Sequence, residues 1–329
     1  MSASLKTRLI KGAIPGLLRR GRAPLAVSWI VTNRCNLRCV YCGCPDNVGN
    51  ELSTDEAMDV IDALDELGCV AAHLTGGEPL VRKDLGRLIQ RLRFHAIRVT
   101  LSSNGTLVPR KMRILRDCAE VSLSLDGPPE VHDLNRAEGQ VDQVLAALES
   151  LQAGGVPRKL QCLVTRRTDA RCLDFVLEQG RRFEAPVFFQ PALDIVLATE
   201  DPNPVVAEAS HVAAIFQDLQ TRRAAGQPVG NSVGALQHLG TWPTPRPLTC
   251  PINRAVVRIG PEGILLPCHE RADLPAGQSV RDGGFAAAFA RLKLQKCTEC
   301  WGSGRAEIRD AMSRGPAAWP EFLKKRGHF

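Results

Sequence analysis

The stretch LAVSWIVTNRCNLRCVYC, residues 25–42, decides how the rest of the chain is read. Its first half, 25–32, is a short apolar run with the branched and aromatic residues that suit a strand. Its second half sets Cys35, Cys39 and Cys42 on one tight loop in C-x3-C-x2-C spacing. Three thiolates so placed can hold three corners of a [4Fe–4S] cube and leave the fourth iron open, whereas clusters that only carry electrons are normally closed by four cysteines. An open iron, like the open position of a catalytic zinc, is a place for substrate or cofactor to bind. Zinc is the competing reading of close cysteine pairs. No histidine or further cysteine follows at finger-like spacing except Cys44, which lies too near Cys42 for easy chelation.

Working outward, short apolar runs at 25–32, 70–75, 97–102, 121–125, 160–165 and 186–190 alternate with amphipathic stretches at 54–67, 84–94, 108–117, 139–153 and 169–183, with a last helix near 205–224. Ser53 is a candidate N-cap, with Asp55 and Glu56 in the first turn behind it. Gly68, and later Gly154 and Gly155, sit where helix C-terminal glycines belong. Repeated strand–helix units call for parallel strands, and six units make an α/β, partial (β/α)6 TIM-like barrel. Such barrels work at the C-terminal ends of their strands. There the sequence places the cysteine loop, the turn Gly76-Gly77-Glu78-Pro79, then Ser103, Asn104 and Gly105, and then Asp126 and Gly127.

These motifs together resemble the radical S-adenosylmethionine (SAM) enzymes, over nearly the whole of residues 25–300. The resemblance implies that SAM chelates the open iron of the [4Fe–4S] cluster through its amino and carboxylate groups. It implies that Tyr41 lies near the adenine, and that Gly76, Gly77, Glu78 and Pro79 hold the methionine ammonium. Ser103, Asn104, Ser124 and Asp126 match positions on the ribose or methionine side, and Arg136 in HDLNR matches the carboxylate-binding arginine. His132 and Asp133 in the same motif are expected to order the loop. Gln190, Asp194 and Glu200 are candidates for the substrate side.

A second cysteine set, Cys250, Cys268, Cys297 and Cys300, resembles the twitch domain, the shorter relative of the SPASM domain. That likeness implies one auxiliary [4Fe–4S] cluster on a β-hairpin at 255–267; a closed zinc ribbon is the alternative for four cysteines. The expected domains are a basic segment 1–24, the barrel 25–225, a linker 226–249 rich in Gly and Pro, a twitch domain 250–305 and a tail 306–329. Cys44, Cys69, Cys118, Cys162 and Cys172 remain, and burial as small hydrophobes is their default.

The net charge of +7 is concentrated: Lys6, Arg8, Lys11, Arg19, Arg20 and Arg22 precede the first strand with no acid among them. The remainder, 36 basic against 35 acidic residues, gives no reason to expect nucleic acid. The basic segment is read as a short helix capping the barrel; contact with an anionic membrane surface is the alternative. Twelve cysteines without a signal peptide point to metal chemistry in a reducing cytoplasm. The expected activity is reductive cleavage of SAM to a 5′-deoxyadenosyl radical that takes hydrogen from a substrate carbon, with a flavodoxin or ferredoxin as reductant. The resemblance implies peptide, sulfatase or aminoglycoside-like substrates. The short stretch before the first strand favours a small molecule over a leader-bearing peptide. A peptide maturase, a non-catalytic iron–sulfur scaffold and a lipid-modifying enzyme are the competing classes.

Overall fold

A computed structural model gives the fold of residues 22–46, 48–194, 201–244, 254–266, 277–293 and 300–313. Six strand–helix units come first: β1 (Ala26–Thr32), α1 (Thr54–Glu66), β2 (Ala71–Gly76), α2 (Leu85–Phe94), β3 (Arg98–Ser103), α3 (Val108–Leu115), β4 (Glu120–Ser124), α4 (Pro129–Asn135), α5 (Gln140–Ala153), β5 (Arg158–Val164), α6 (Ala170–Arg182), β6 (Val187–Pro191) and α7 (Ala209–Ala224). There follow α8 (Val233–Leu239), β7 (Val256–Ile259), β8 (Ile264–Leu266), β9 (Gln278–Ser279), α9 (Gly284–Arg291) and α10 (Ser303–Ser313). The sheet runs β6-β5-β4-β3-β2-β1-β7-β8-β9, parallel from β6 through β7 and antiparallel over β7, β8 and β9.

The helices form where capping and spacing ask for them. Ser53 Oγ accepts from Glu56 N while Ser53 N donates to the Glu56 carboxylate, a reciprocal cap on α1. Behind it Ala57, Val60, Ile61 and Leu64 make the buried stripe of α1, and Leu85, Leu88, Ile89 and Leu92 repeat the spacing in α2. Asp133, as expected of a loop-ordering residue, accepts from the backbone N–H groups of Gly139, Gln140 and Val141 at the start of α5.

The strands alternate in a way that sets up the site. One face, with Val27, Trp29, Leu74, Leu101, Leu123 and Phe189, packs into the main apolar core. The other face carries Ser28, His73, Ser102, Ser122, Lys159 and Gln161 around an internal cavity. Side chains alternate across a strand, so a polar lumen and an apolar shell come from the same residues.

Two features differ from the sequence expectation. The hairpin at β7 and β8 is where it was expected, but β7 pairs in parallel with β1, from Ala26 opposite Val256 to Trp29 opposite Ile259. The hairpin therefore continues the barrel's own sheet. Within the expected linker, residues 233–239 form α8, which packs on α7 and α10. The open edge at β6 is also closed: Asn231 Oδ1 accepts from Phe189 N at 2.7 Å and its Nδ2 donates to Phe189 O at 3.2 Å. A side-chain amide there stands in for the missing neighbour strand. Of the expected basic segment 1–24, residues 1–21 lie outside the described residues. Among the described residues no helix is long and apolar enough to cross a membrane.

Candidate active site

The loop after β1 is fixed from both sides. Val40 N donates to Asn135 O at the end of α4 (3.1 Å), and Asn104 Nδ2 donates to Asn36 Oδ1 (3.0 Å). The turn after β2 closes onto the same loop: Gly77 N donates to Thr32 O at 2.8 Å and Glu78 N to Arg34 O at 2.9 Å. A Cβ on Gly77 would lie 2.5 Å from both Asn33 O and Arg34 O, and one on Gly76 2.1 Å from Thr32 O. Only glycine allows backbone to approach backbone this closely. Arg82, just beyond, is buried and donates to Val31 O (2.7 Å) and Leu52 O (2.9 Å), so the end of β1 is pinned as well.

Between these loops lies a cavity of about 330 Å³. Cys35, Cys39, Cys42 and Tyr41 line it from one loop, and Gly76 and Gly77 from the next. Ser103, Asn104, Ser124 and Arg136 complete the rim, with Gln190 reaching in from β6. Most of the predicted residues are thus brought to one space.

Glu78, Pro79 and Asp126 are not on its wall. The Glu78 carboxylate turns into the protein, accepting from Leu80 N (3.0 Å), Asn104 N (2.7 Å) and Ser103 Oγ (3.0 Å). It ties the end of β2 to the end of β3 through those three donors. Burial pushes its carboxyl up to about 7. Pro79 is buried at the start of a 3₁₀ turn.

Asp126 is fully buried and receives Arg136 bidentately, Nε at 2.8 Å and Nη2 at 3.1 Å. Burial works against its charge, yet Arg136 holds the carboxyl below its usual range. Arg136 also stands over the Tyr41 ring, 5.4 Å from its centre. His132 accepts from Asp126 N on Nδ1 (3.0 Å), which assigns its proton to Nε2, facing Gln140 Oε1. Gln140 Nε2 in turn donates to Asn104 O at 2.6 Å. The network runs from β4 back to β3 with each polar group answered, which fixes the rim in one arrangement.

Burial pushes the Cys35 and Cys39 thiols up, and Cys42 is raised first by its hydrogen bond with Cys44. A metal would have to displace those protons. Among the described residues no three His, Cys, Asp or Glu side chains converge closely enough for a single metal ion. The three thiols share a cavity rather than a point, which fits a cube of four irons better than mononuclear zinc.

Sequence reasoning missed the lumen beneath this rim. A second cavity, of about 350 Å³, is lined by His73, Lys159, Arg258 and Phe188 from the strands and by Ser303, Arg305 and Glu307 from α10. The signal was present as a period of two: polar residues recur at 73 and 75, 100 and 102, 122 and 124, and 159 and 161, inside otherwise apolar strands.

The family model described as the radical SAM superfamily matches residues 29–175. Mycofactocin maturase MftC of Mycobacterium ulcerans (strain Agy99) is 31% identical over 303 residues, covering 86% of this chain and 80% of that one. The chain belongs to the radical SAM superfamily. Solved radical SAM structures share the fold. SuiB of Streptococcus suis, solved with S-adenosylmethionine and with its precursor peptide SuiA, superposes with a TM-score of 0.70 at 12% identity, over 85% of this chain. It is matched over 69% of its own length with S-adenosylmethionine and 68% with SuiA. The enzyme anSMEcpe with bound AdoMet gives a TM-score of 0.64 at 21% identity, over 81% of this chain and 80% of its own.

This radical SAM enzyme therefore uses a [4Fe–4S] cluster and SAM. When bound, they supply a 5′-deoxyadenosyl radical that takes hydrogen from a substrate carbon. Of the auxiliary set only Cys300 lies among the described residues; Cys250, Cys268 and Cys297 lie outside them, as does Glu200. Cys300 is buried, accepts from Arg305 Nε at 2.9 Å, and its carbonyl accepts from His238 Nε2 at 2.6 Å. Gln190 reaches both cavities, whereas Asp194 is on neither wall. Cys69, Cys118, Cys162 and Cys172 are buried as expected.

Proposed function

We infer that the enzyme is a maturase that modifies a ribosomally made peptide, with Cys35, Cys39 and Cys42 holding the SAM-binding cluster. The cavity where those three thiols meet Gly76, Gly77 and Arg136 carries the cluster assignment. Arg136, oriented by Asp126, would receive the SAM carboxylate, while Tyr41, Ser103, Asn104 and Ser124 would contact the rest of the molecule. Glu78 would act indirectly, by holding the β2 and β3 ends in register. Cys300 with Cys250, Cys268 and Cys297 would hold an auxiliary cluster or zinc, and a flavodoxin or ferredoxin in the cytoplasm would supply the electron. The maturase relatives favour a peptide, and SuiB shows that a precursor peptide can be housed on this fold.

A small-molecule substrate is the second reading, favoured by a lumen of about 350 Å³, the size of a small-ligand pocket. The test is anaerobic incubation of reconstituted enzyme with SAM, dithionite and a synthetic copy of a short peptide encoded beside the gene. A changed peptide mass, with deuterium passing from labelled peptide into 5′-deoxyadenosine, supports the maturase. SAM cleavage that the peptide neither couples to nor accelerates supports the small molecule.

A further inference from the structure

Residues 32–34 carry the end of β1 into Cys35, and their polar groups leave in two directions. The carbonyls face the turn after β2, where Thr32 O accepts from Gly77 N and Arg34 O from Glu78 N. The donors converge on one carboxylate. Thr32 Oγ1 donates to Glu51 Oε1 at 2.6 Å, and Asn33 N donates to the same oxygen at 3.0 Å. Arg34 Nη2 donates to Glu51 Oε2 at 2.9 Å. Arg34 N joins through the threonine, donating to Thr32 Oγ1 at 3.1 Å. A hydroxyl that donates to an anion is a better acceptor for the next donor, so these contacts reinforce one another.

Glu51 is itself seated from two parts of the fold. Leu52 N donates to Pro261 O, in the turn between β7 and β8, at 2.8 Å, and Leu52 O accepts from the buried Arg82 at 2.9 Å. Arg281, two residues beyond β9, donates to Asn50 O at 3.2 Å and to Glu51 O at 3.4 Å. The same guanidinium pairs with the Glu56 carboxylate at 2.7 Å, which ties it to the first turn of α1. The C-terminal hairpin and the barrel thus hold the backbone of 50–52 together. The Glu51 side chain, only 11% exposed, is spent on the entry to the cysteine loop.

We propose that Glu51 is a positioning residue for the SAM-binding cluster: it gathers the donors of 32–34 and so fixes the backbone from which Cys35 projects. The turn at Gly76–Glu78 fixes the same backbone by its carbonyls, from the other side. Glu51 is not on the wall of the SAM cavity and acts through Thr32, Asn33 and Arg34. A carboxylate suits this set: three donors arrive, one of them cationic, and it meets them with two oxygens and a full charge. An amide would turn its own N–H groups toward Arg34. Groups behind metal ligands orient the ligands, and removing one typically costs about 10–100-fold in metal affinity or activity. The proposal rests on the assignment of Cys35, Cys39 and Cys42 to the cluster.

The test compares the full native chain, reconstituted anaerobically, with Glu51→Ala, Glu51→Gln, Thr32→Val and the pair Glu51→Ala with Thr32→Val. Folding is checked by circular dichroism and by the unfolding midpoint in urea. Two readouts follow: the rate at which an iron chelator strips the cluster, and the change that SAM makes in the electron paramagnetic resonance spectrum of the reduced protein. The iron and signal of the first loop are those absent from the Cys35/Cys39/Cys42→Ala variant. Glu51→Ala should release that iron about tenfold faster or more and weaken the spectral response to SAM. Glu51→Gln, which keeps an oxygen for Thr32 and Asn33, should fall between alanine and native. The paired variant should lose less than the product of the two separate effects, because the threonine acts through the carboxylate. Effects that multiply overturn the proposal. So does a lowered unfolding midpoint with native iron release and a native response to SAM, the signature of a merely structural role. If the alanine variant does not fold, Glu51→Gln decides alone, and release at the native rate overturns the proposal. A native chain whose first loop takes up no iron counts against the cluster reading; native behaviour in every folded variant removes the Glu51 assignment alone.

Discussion

At the rim, the polar side chains are answered by other parts of the protein. Glu78 is held by the β3 end, Asp126 by Arg136, and His132 by Gln140. In the lumen, among the described residues, Lys159, Arg258, Arg305 and Glu307 line the wall, and Gln161 Nε2 is buried without a hydrogen-bond partner. Both regions are built from the same strands. The difference is that the Asp126, Arg136, His132 and Gln140 network at the rim closes within the protein, whereas the lumen wall gathers charged side chains of both signs. Changes at the rim should therefore act through geometry, and changes in the lumen through charge.

The largest effect expected from that contrast is at Gly77. Gly77→Ala drives a methyl into the carbonyls of Asn33 and Arg34, so the cysteine loop must move. A displacement of about 1 Å at a reacting centre can cost a hundredfold, and SAM cleavage should fall by about that factor, with iron content falling too. Full iron and full cleavage would show that the rim is more pliable than its hydrogen bonds imply.

Asp126→Asn comes next. Removing one partner of a buried ion pair costs about 3–5 kcal/mol, which denaturant unfolding should show together with weaker SAM binding by calorimetry. Unchanged SAM affinity would mean that Arg136 needs no orienting.

The lumen should respond to pH instead. Burial pushes Glu307 up to about 7 from an ordinary 4.5. Between those values the folded chain holds a proton that the unfolded chain has released. This contribution to stability is full below about pH 4.5 and is lost as pH rises through about 7. Glu307→Gln should flatten part of that decline and stabilise the protein at pH 8 by about 1–2 kcal/mol, read from unfolding midpoints across pH 4–8. Glu78, raised in the same range, should keep the remaining slope. A slope untouched by the substitution would leave the charge account of the lumen without its acid.

Ser53→Ala, outside both regions, should cost about 1 kcal/mol through the lost α1 cap and leave SAM binding unmoved. A change in SAM binding there would mean the rim is not isolated from its supporting helices.

The rim was legible because its residues are contiguous. Cys35 to Cys42 come from one loop and Gly76 to Pro79 from one turn, so type and spacing carried the chemistry. Side-chain direction was not legible: Glu78 could be seen as a carboxylate at the right place, but its donors come from Ser103 and Asn104 on another strand. The strands and helices of the barrel fall within two residues of where hydrophobic period and capping put them, except that α7 starts at Ala209, four residues later than expected, while α4 and α8, each seven residues, were too short to show a period. The pairing of β7 with β1 joins residues some 230 apart, and no local pattern reports so distant a parallel contact. The lumen set was written in the sequence at a period of two, where single polar residues inside strands read as exceptions until the strands are placed side by side.

The central claim is that three thiols on the first loop hold an open cluster that cleaves SAM. The direct measurement is iron and 5′-deoxyadenosine from the anaerobically reconstituted native chain and from the Cys35/Cys39/Cys42→Ala variant, with dithionite and SAM supplied. The account predicts that the variant loses about four irons per chain and all cleavage. A native chain that binds no iron, or a triple variant that still cleaves SAM, would contradict it.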